Sequence, residues 1–487
     1  MIDKSNCSAS INSPQREGSN RYSLGNIYIK RKGGTKRVID MSSLIDKIKN
    51  FVEKTNERFV QLFERFETYS NKKIYILLFF LTFIICSPMV IAYEIENDPA
   101  RVEHKDLDIF RDRAETILEG DLLYRDTEYV TLSPPIINYL FVPAALLGGT
   151  ALIWVCWFAM FVFFSSVILY QILISFVEKR YAIAGSVFFI VSPFSMYTTI
   201  RMMQDDAIIV SFLLLALLFI IRKSWYKAAA VFGLGTMTKV FPALCAPLAA
   251  IGPKLWKERF TAMTIGLGIG ILVTLPFLLY ATDEFLQFLN FYLTGQQPAS
   301  GEQLAERVSD VEQRGMSFWR FFGEHIYFVP SSFLHLIFVL ALLMTWVSAL
   351  MKKIEIIPAF VLCILWVFIF YSKVHYGYHL MVFSLLIPWA LPHPKQLVGL
   401  GFAGFFLIAV HRIWRDTSII QNPIVHLLLA FVMWLYWINW AGILIRNRKN
   451  DFPDMESCNR STLLIVSWFS VFCFSYYFWY TIRTILP

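Results

Sequence analysis

Apolar stretches recur along most of the chain and are separated by short polar segments. A helix needs about 20 mostly apolar residues to cross a bilayer, and most of these stretches approach that length. The pattern therefore predicts an all-α fold, a polytopic transmembrane helical bundle of about 13 spans. The predicted spans are 74–93, 150–176, 181–199, 207–221, 226–251 (counted as two), 260–281, 333–351, 354–371, 377–391, 397–411, 424–446 and 462–482.

Two apolar stretches do not fit a simple span. Residues 136–149 are apolar but short, bounded by Pro-Pro and Gly-Gly, so we expect a helix lying in the outer membrane interface. Residues 226–251 begin and end beside basic loops, with Gly235 and Lys239 near the middle. If both basic loops are cytoplasmic, this stretch must enter the membrane and return. It therefore predicts two half-length helices with Lys239 at the turn.

The residues before the first span differ in composition from the rest. Residues 1–40 are rich in Ser, Asn, Gly and basic residues, which is typical of disorder. Residues 42–66 place apolar side chains at helical spacing and predict an amphipathic helix. This helix either lies on the cytoplasmic membrane surface or packs on cytosolic loops. We divide the chain into a cytoplasmic basic tail (1–73), a membrane module (74–390) and C-terminal transmembrane helices (391–487).

Composition and charge agree with a membrane protein. Only 16% of the residues are charged, against roughly 25% in soluble proteins. Residues 1–73 carry fifteen Lys/Arg and eight Asp/Glu, a net charge of +7, whereas residues 94–132 carry five and twelve, a net of −7. Because basic loops stay on the cytoplasmic side, we expect the N-terminus inside, the C-terminus outside, and the acidic loops 94–132 and 282–332 outside. The net charge of +8 lies beside the spans and does not indicate nucleic-acid binding.

The motifs of several other protein classes are missing from the sequence. Its seven cysteines are scattered without a CxxC pair, so neither a zinc site nor a disulfide framework is indicated. There is no Gly-rich nucleotide-binding loop. No cofactor is firmly predicted, and a divalent cation is left open.

Polar side chains that can carry chemistry fall, by this topology, on one side of the membrane. They form four clusters: Asp106 with Asp108, Gln204 with Asp205 and Asp206, Lys239 alone, and Lys373 with His375 and His379. Charged groups at membrane depth are costly and usually functional. Each cluster also has a structural alternative. The first acids can belong to a solvated loop, the second pair can cap a helix, the lysine can reach water along its stem, and the histidines can bond the backbone.

The first outer loop resembles that of the glycosyltransferase C superfamily. The matching pattern is Asp106-x-x-x-Phe110, Ala114, Gly120, Tyr124 and Ser133-Pro134-Pro135, followed by Gln204-Asp205-Asp206, Thr238-Lys239-x-x-Pro242 and Lys373-Val-His375. The resemblance covers 74–390 and is greatest to mannosyltransferases that use polyprenyl- or dolichyl-phosphate sugars. One departure is Leu123 before Tyr124, where many relatives have Pro, and it leaves the donor sugar open.

The resemblance implies an integral-membrane, inverting glycosyltransferase, with mannose as the expected sugar. The donor would be a polyprenyl-phosphate sugar, and the acceptor a hydroxyl of a glycan, lipid or protein. In the superfamily an Asp of the first outer loop acts on the acceptor. Asp106 matches that position and Asp108 is the alternative. The later motifs and Tyr124 would bind the substrates. The enzyme would lie in the plasma membrane of a prokaryote or the endoplasmic reticulum of a eukaryote.

The residue types suit this chemistry. A carboxylate accepts the proton of the attacking hydroxyl, and Lys239, Lys373, His375 or His379 would meet the charge that develops on the phosphate. Two other classes remain open. A transporter or flippase of lipid-linked sugars would use intramembrane acids and a broken helix, and a non-catalytic membrane subunit would tolerate loss of Asp106.

Overall fold

A computed structural model of the chain describes residues 27–30, 36–39, 41–96, 105–129, 131–294, 317–327, 329–371, 374–416, 423–453 and 457–485. The chain divides into two compact units, Met1–Arg65 and Phe66–Pro487.

The first unit contains a short hairpin and most of a long helix. Strands β1 (Ile27–Lys30) and β2 (Lys36–Ile39) pair antiparallel, with Ile27 opposite Ile39. The prediction of disorder over 1–40 is therefore wrong for these strands, in which the β-branched residues Ile27, Ile29, Val38 and Ile39 favour extended backbone. Helix α1 (Met41–Glu67) carries an apolar stripe, and Phe51 on that stripe is 67% exposed. The amphipathic helix is observed where the spacing predicts it.

The regular secondary structure described in the second unit is helical. Its first helices are α2 (Asn71–Glu96), α3 (Lys105–Glu119), α4 (Pro135–Tyr139), α5 (Val142–Leu146), α6 (Ala151–Leu173), α7 (Lys179–Val191), α8 (Asp206–Ile221), α9 (Trp225–Thr236), α10 (Ala246–Ile251), α11 (Trp256–Tyr280) and α12 (Thr282–Thr294). The later helices are α13 (Phe318–His325), α14 (Ser331–Leu350), α15 (Ile356–Phe370), α16 (His379–Ala390), α17 (Pro394–Asp416), α18 (Pro423–Arg446) and α19 (Arg460–Ile485).

The prediction of an all-α membrane protein is confirmed, but the count of about thirteen spans is not. Among the described residues, six helices are long and apolar enough to cross a membrane, or seven if one bent pair counts as a span. Several predicted spans are shorter helices. For example, α8 has 16 residues and α15 has 15, below the length of about 20 that a straight span needs.

The short helices form the buried centre of the second unit. α8 packs against α6, α9 and α16, and α15 packs against α14, α16 and α18. By contrast, α11 and α14 expose many large apolar side chains, including Leu272 at 70% and Met344 at 70%. Exposed apolar surface of this extent suits contact with lipid. The central helices are therefore shielded, and their ends can carry polar groups.

α7 and the π-helix that follows it form a bent pair that leads to the buried central helices. A π-helix (Phe194–Arg201) follows α7 at an angle of 41° after Pro193. The next turn contains Met203, whose φ of 45° lies in the left-handed region. This conformation costs a non-glycine residue roughly 1–2 kcal/mol. Strain and π-helical geometry concentrate at functional sites, and here they precede Gln204.

The predicted break in 226–251 is observed. α9 ends at Thr236, a 3-10 helix (Phe241–Leu244) follows, and α10 begins at Ala246. Lys239 lies in the turn between them. The turn is held against the first-loop region, because the backbone N–H of Ile136 donates to Met237 O at 2.8 Å. The predicted interfacial segment 136–149 is itself two short helices, α4 and α5, and is too short to span.

Candidate active site

Asp106 lies in the first turn of α3, where the positive end of the helix favours an acid. Its side chain is exposed, and its Oδ2 accepts a hydrogen bond from Gln204 Nε2 at 2.8 Å. Asp108 is two positions further on, so its side chain points about 200° away around the helix. It lies 3.6 Å from Arg111 Nη1. Of the two predicted carboxylates, Asp106 is the one that faces the second cluster.

The loop before α8 presents Gln204 to Asp106. Gln204 is 8% exposed, and its Nε2 also donates to Met202 O at 3.0 Å. Its backbone N–H donates to Thr198 O at 3.2 Å. The strained turn at Met203 therefore directs the amide toward α3 and holds it there.

Asp205 and Asp206 follow at once and pair with the lysine of the broken helix. Lys239 Nζ lies 3.1 Å from Asp205 Oδ1 and 3.0 Å from Asp206 Oδ1. The side chains of Lys239 and Asp205 are 15% exposed and that of Asp206 is fully buried. Neither acid makes a side-chain cap for α8. The two acids therefore do not cap the helix and instead form an ion-pair network with Lys239.

The segment before α16 packs against this ion-pair network. Lys239 Nζ lies 4.7 Å from the centre of the Tyr378 ring, within the range of a cation–π contact. A Cβ on Gly377 would overlap Asp206 Oδ2, so only glycine permits this approach. The backbone N–H of Gly377 donates to His375 Nδ1 at 3.3 Å. Sequence reasoning singled out the histidine and missed Gly377 and Tyr378, although a glycine between two tyrosines is a signal of close backbone approach.

The structure thus brings residues of all four predicted clusters together. Asp106 contacts Gln204, the two following acids contact Lys239, and Gly377 and Tyr378 place His375 beside them. The central group has three carboxylates and one lysine. Its formal charge is therefore −2 when all are ionised. Among the described residues, no three His, Cys, Asp or Glu side chains are arranged to hold a metal ion.

Polar contacts of the first loop hold α3 in place. Asp112 accepts hydrogen bonds from the backbone N–H groups of Glu128 and Tyr129 at 2.9 and 3.1 Å. Arg113 Nη1 donates to Ser133 Oγ at 2.9 Å. Further along the loop, a hydrogen bond from Arg125, with one from Leu122 N–H, keeps the pKa of Asp126 below its usual range. These groups shape the loop that carries Asp106.

Three predicted site residues lie elsewhere or are not described. Tyr124 is 5% exposed, packs on Phe277 and Phe285, and donates to Ser133 O at 2.7 Å, so it anchors the loop. His379 is 2% exposed, and its ring lies among Phe194, Phe368 and Trp437. Aromatic packing encloses the imidazole, so the structure offers no support for a phosphate contact of His379, and that role stays a prediction. Lys373 lies outside the described residues.

Three comparisons with known proteins bear on this site. The model of glycosyltransferase family 87 matches residues 132–370. No curated protein matches the chain. Among solved structures, the crystal structure of ArnT from Cupriavidus metallidurans bound to undecaprenyl phosphate is similar, with a TM-score of 0.42 and 16% sequence identity. That similarity covers 77% of this chain and 73% of that one.

Proposed function

We propose that the chain is a glycosyltransferase that transfers a sugar from a polyprenyl-phosphate carrier to a hydroxyl acceptor, because residues 132–370 match the model of glycosyltransferase family 87. The match to glycosyltransferase family 87 supports the predicted membership of the glycosyltransferase C superfamily. The donor, the acceptor and the roles of individual residues are our proposal.

The observation that carries the proposal is the contact between Asp106 and Gln204 beside a buried ion-pair network. An exposed carboxylate is held in one orientation by a buried amide. Orientation of this kind raises the effective concentration of a catalytic group. Asp106 is accessible to an acceptor, whereas Asp206 is buried and paired. This supports Asp106 as the general base and a supporting role for Asp205, Asp206 and Lys239.

The proposed step is a single displacement. Asp106 accepts the proton of the acceptor hydroxyl as the hydroxyl oxygen bonds to the anomeric carbon. The bond from that carbon to the phosphate oxygen breaks, and its electron pair stays on the phosphate. The products are the glycosylated acceptor, with inverted anomeric configuration, and polyprenyl phosphate with one more negative charge. That charge has to be met by positive groups.

The sequence suggested that Lys239 contacts the phosphate, but in the structure it is already paired. Its ammonium already contacts two carboxylates, so a phosphate would have to displace one of them. We propose instead that Lys239 offsets part of the negative charge of Asp205 and Asp206 and keeps the loop before α8 in place. His375, which is half-buried beside Gly377, remains a proposed phosphate contact, and Lys373 remains one by sequence only.

The cellular setting of the proposal follows from the charge pattern. The acidic first loop suggests that the site faces the outside of a prokaryotic plasma membrane or the lumen of the endoplasmic reticulum. Cytosolic nucleotide sugars are absent there, which favours a lipid-linked donor. Mannose is the leading sugar, on resemblance alone. We keep the division into a basic tail, a catalytic module (74–390) and C-terminal helices (391–487) as part of the proposal.

The experiment compares two carboxylates in the purified protein with polyprenyl-phosphate mannose and no nucleotide. Asp106→Asn keeps the Gln204 contact geometry but removes the basic lone pair, so transfer should fall roughly 10²-fold or more. Asp108→Asn is the matched control and should retain activity, because Asp108 faces Arg111. Loss of transfer in Asp108→Asn alone would reassign the base. Unchanged transfer in both, or efficient transfer from GDP-mannose without any lipid carrier, would overturn the mechanism.

A transporter or flippase of lipid-linked sugars is the second candidate. Two broken helices beside a buried ion pair favour it, since such features line substrate paths in transporters. In proteoliposomes, a flippase would move the lipid-linked sugar across the bilayer without an acceptor and would do so equally in Asp106→Asn. The proposed transferase would form no product until an acceptor is added.

A further inference from the structure

Helix α1 (Met41–Glu67) presents much of its apolar stripe at the surface. Ile48 is 54% and Phe51 67% exposed, whereas Phe63, near the other end of the stripe, is buried. Apolar side chains in a row along one exposed helix face are unfavourable in water and indicate a surface that binds something. The exposed members of the stripe are Leu44, Ile45, Ile48, Phe51 and Leu62.

The charged residues of α1 are sorted around this stripe. An acid followed directly by a base recurs four times, at intervals of seven, four and seven positions, and all eight side chains are exposed. Neighbours on a helix point about 100° apart, and both intervals return to nearly the same side. The bases of these pairs therefore lie within about 60° of Phe51, and the acids about 120–160° from it. The pairs are Asp46-Lys47, Glu53-Lys54, Glu57-Arg58 and Glu64-Arg65.

This arrangement fits an anionic lipid surface better than it fits water or a protein. Helix α1 carries five Lys/Arg and five Asp/Glu, so its attraction to anions depends on which side the charges face. Basic side chains beside an apolar stripe can reach headgroup phosphates while the stripe enters the acyl boundary. The acids of the four pairs then face the cytosol, together with Lys49. A protein partner would need a matching row of acids, whereas an anionic leaflet presents negative charge along the whole helix.

The chain also places α1 next to the membrane. The helix ends at Glu67, and α2, a candidate span over Asn71–Ile91, begins four residues later. A new helix starts there, since the N–H of Ile74 donates to Ser70 O at 3.1 Å. Lys179 Nζ donates to the backbone carbonyl of Tyr69, which ties this turn to the start of α7. Because α1 is tethered at the membrane boundary, the effective concentration of the leaflet around it is high.

We propose that α1 lies on the cytoplasmic membrane surface and binds anionic lipid, with its apolar stripe in the acyl boundary and Lys47, Lys54 and Arg58 at the headgroup phosphates. Residues 27–39 carry five Lys/Arg and no Asp/Glu, and such juxtamembrane basic segments add to the attraction. The inference goes beyond the proposed sugar transfer and involves neither donor nor acceptor. It selects one of the two positions that the sequence leaves open for this helix.

A fluorescence-quenching experiment in reconstituted bilayers tests where the stripe lies. The full-length protein, in a background without native cysteines, carries an environment-sensitive fluorophore on Ile48→Cys in the stripe or, as the matched control, on Glu53→Cys on the far face. The bilayers contain nitroxide-labelled phosphatidylcholine as quencher, with or without phosphatidylglycerol. The label on Ile48→Cys should be quenched, and more so with phosphatidylglycerol, whereas the label on Glu53→Cys should stay unquenched. Added salt should reverse the effect of phosphatidylglycerol, because it screens surface charges.

Two triple variants, each combined with labelled Ile48→Cys, test the sorting of charges. Lys47→Gln/Lys54→Gln/Arg58→Gln should lower the ratio of membrane-bound to free helix by at least about 10-fold in bilayers with phosphatidylglycerol. Asp46→Asn/Glu53→Gln/Glu57→Gln removes the same number of charges at neighbouring positions and should leave binding equal or tighter. Unfolding temperatures of all variants are measured in parallel, and we expect them to stay close to that of the parent protein because the substituted side chains are exposed.

Several outcomes would overturn the inference. If the label on Ile48→Cys is quenched no more than that on Glu53→Cys, the stripe does not meet lipid. If neither phosphatidylglycerol nor the loss of the three bases changes the quenching, anionic lipid is not the partner. If the label is as shielded in detergent as in bilayers, the stripe packs on cytosolic loops, and energy transfer between labelled copies would show that it packs on a second copy. None of these measurements requires turnover, so the inference can fail while the proposed transfer stands.

Discussion

At the scale of single residues, Lys239 is the side chain whose proposed role the structure changes most. By sequence it was a cation in a membrane stretch, able to meet a phosphate or to reach water. In the structure it forms ion pairs with Asp205 and the fully buried Asp206. An unpaired buried carboxylate is costly, because removal of one partner from a buried pair costs about 3–5 kcal/mol.

We therefore expect Lys239→Met to lower the free energy of unfolding by about 3–5 kcal/mol, measured by denaturation in detergent. The double variant Lys239→Met/Asp206→Asn should recover part of that loss, since it removes the stranded charge. A Lys239→Met protein with wild-type stability and a raised donor KM would instead restore the lysine as a phosphate contact.

Gly377 gives a second residue-scale prediction. An added methyl group would overlap Asp206 Oδ2, and that carboxylate is fixed by Lys239. Gly377→Ala should therefore displace Asp206 and reduce transfer at least about 10-fold, given that misplacement of roughly 1 Å can cost 10²-fold. Gly442→Ala in α18 is the matched control, because a Cβ there meets nothing within 4 Å. Equal activity of the two variants would contradict the close contact.

At the scale of elements, α8 ends in a left-handed backbone position that is occupied by a lysine and not by a glycine. Lys223 has a φ of 54°. Its N–H donates to Ile220 O at 2.8 Å, and the N–H of Ser224 donates to Phe219 O at 2.8 Å. These two bonds form a Schellman motif, whose left-handed position favours glycine.

Lys223→Gly should therefore stabilise the protein by about 1 kcal/mol, because it removes the strain of a side chain in the left-handed region. Lys227→Gly is the control. It lies inside α9, where glycine should cost about 1 kcal/mol. Unfolding curves of the two variants in detergent should shift in opposite directions, and a shift in the same direction would contradict the assigned backbone conformation.

The elements also show where the apolar pattern is a reliable guide and where it is not. It places the break around Lys239 and the long helices α2, α6 and α19 near their observed bounds. It overcounts full spans, because an apolar run does not distinguish a helix that crosses lipid from a short one enclosed by other helices, such as α8 or α15. The π-helix before Met203 has no signal in the apolar period.

At the scale of the whole molecule, the charge pattern predicts the orientation in the membrane. Glu119 is exposed in the acidic first loop, and Arg448 follows α18 in a basic segment. In a background without native cysteines, a membrane-impermeant thiol reagent should label Glu119→Cys in intact cells and leave Arg448→Cys unlabelled until the membrane is opened. The reverse pattern would invert the topology and place the site on the cytosolic side.

The sequence by itself determined the class of the protein, the membrane environment and the residue types of the site. Hydrophobic periodicity, charge alternation and the order of short motifs are local properties, and they suffice for a helical membrane glycosyltransferase with Asp106, Gln204 and Lys239 among its candidates. They also left Asp108 open as an alternative to Asp106, and they placed Tyr124 and His379 among the substrate contacts.

Only the tertiary structure decided which of these side chains lie in contact, because the contacts join parts of the chain that are far apart in sequence. Asp106 is distinguished from Asp108 by Gln204, Lys239 is paired by the start of α8, and His379 is enclosed by aromatic rings from three other elements. The approach of Gly377 to Asp206 likewise depends on how helices pack, which no local pattern encodes.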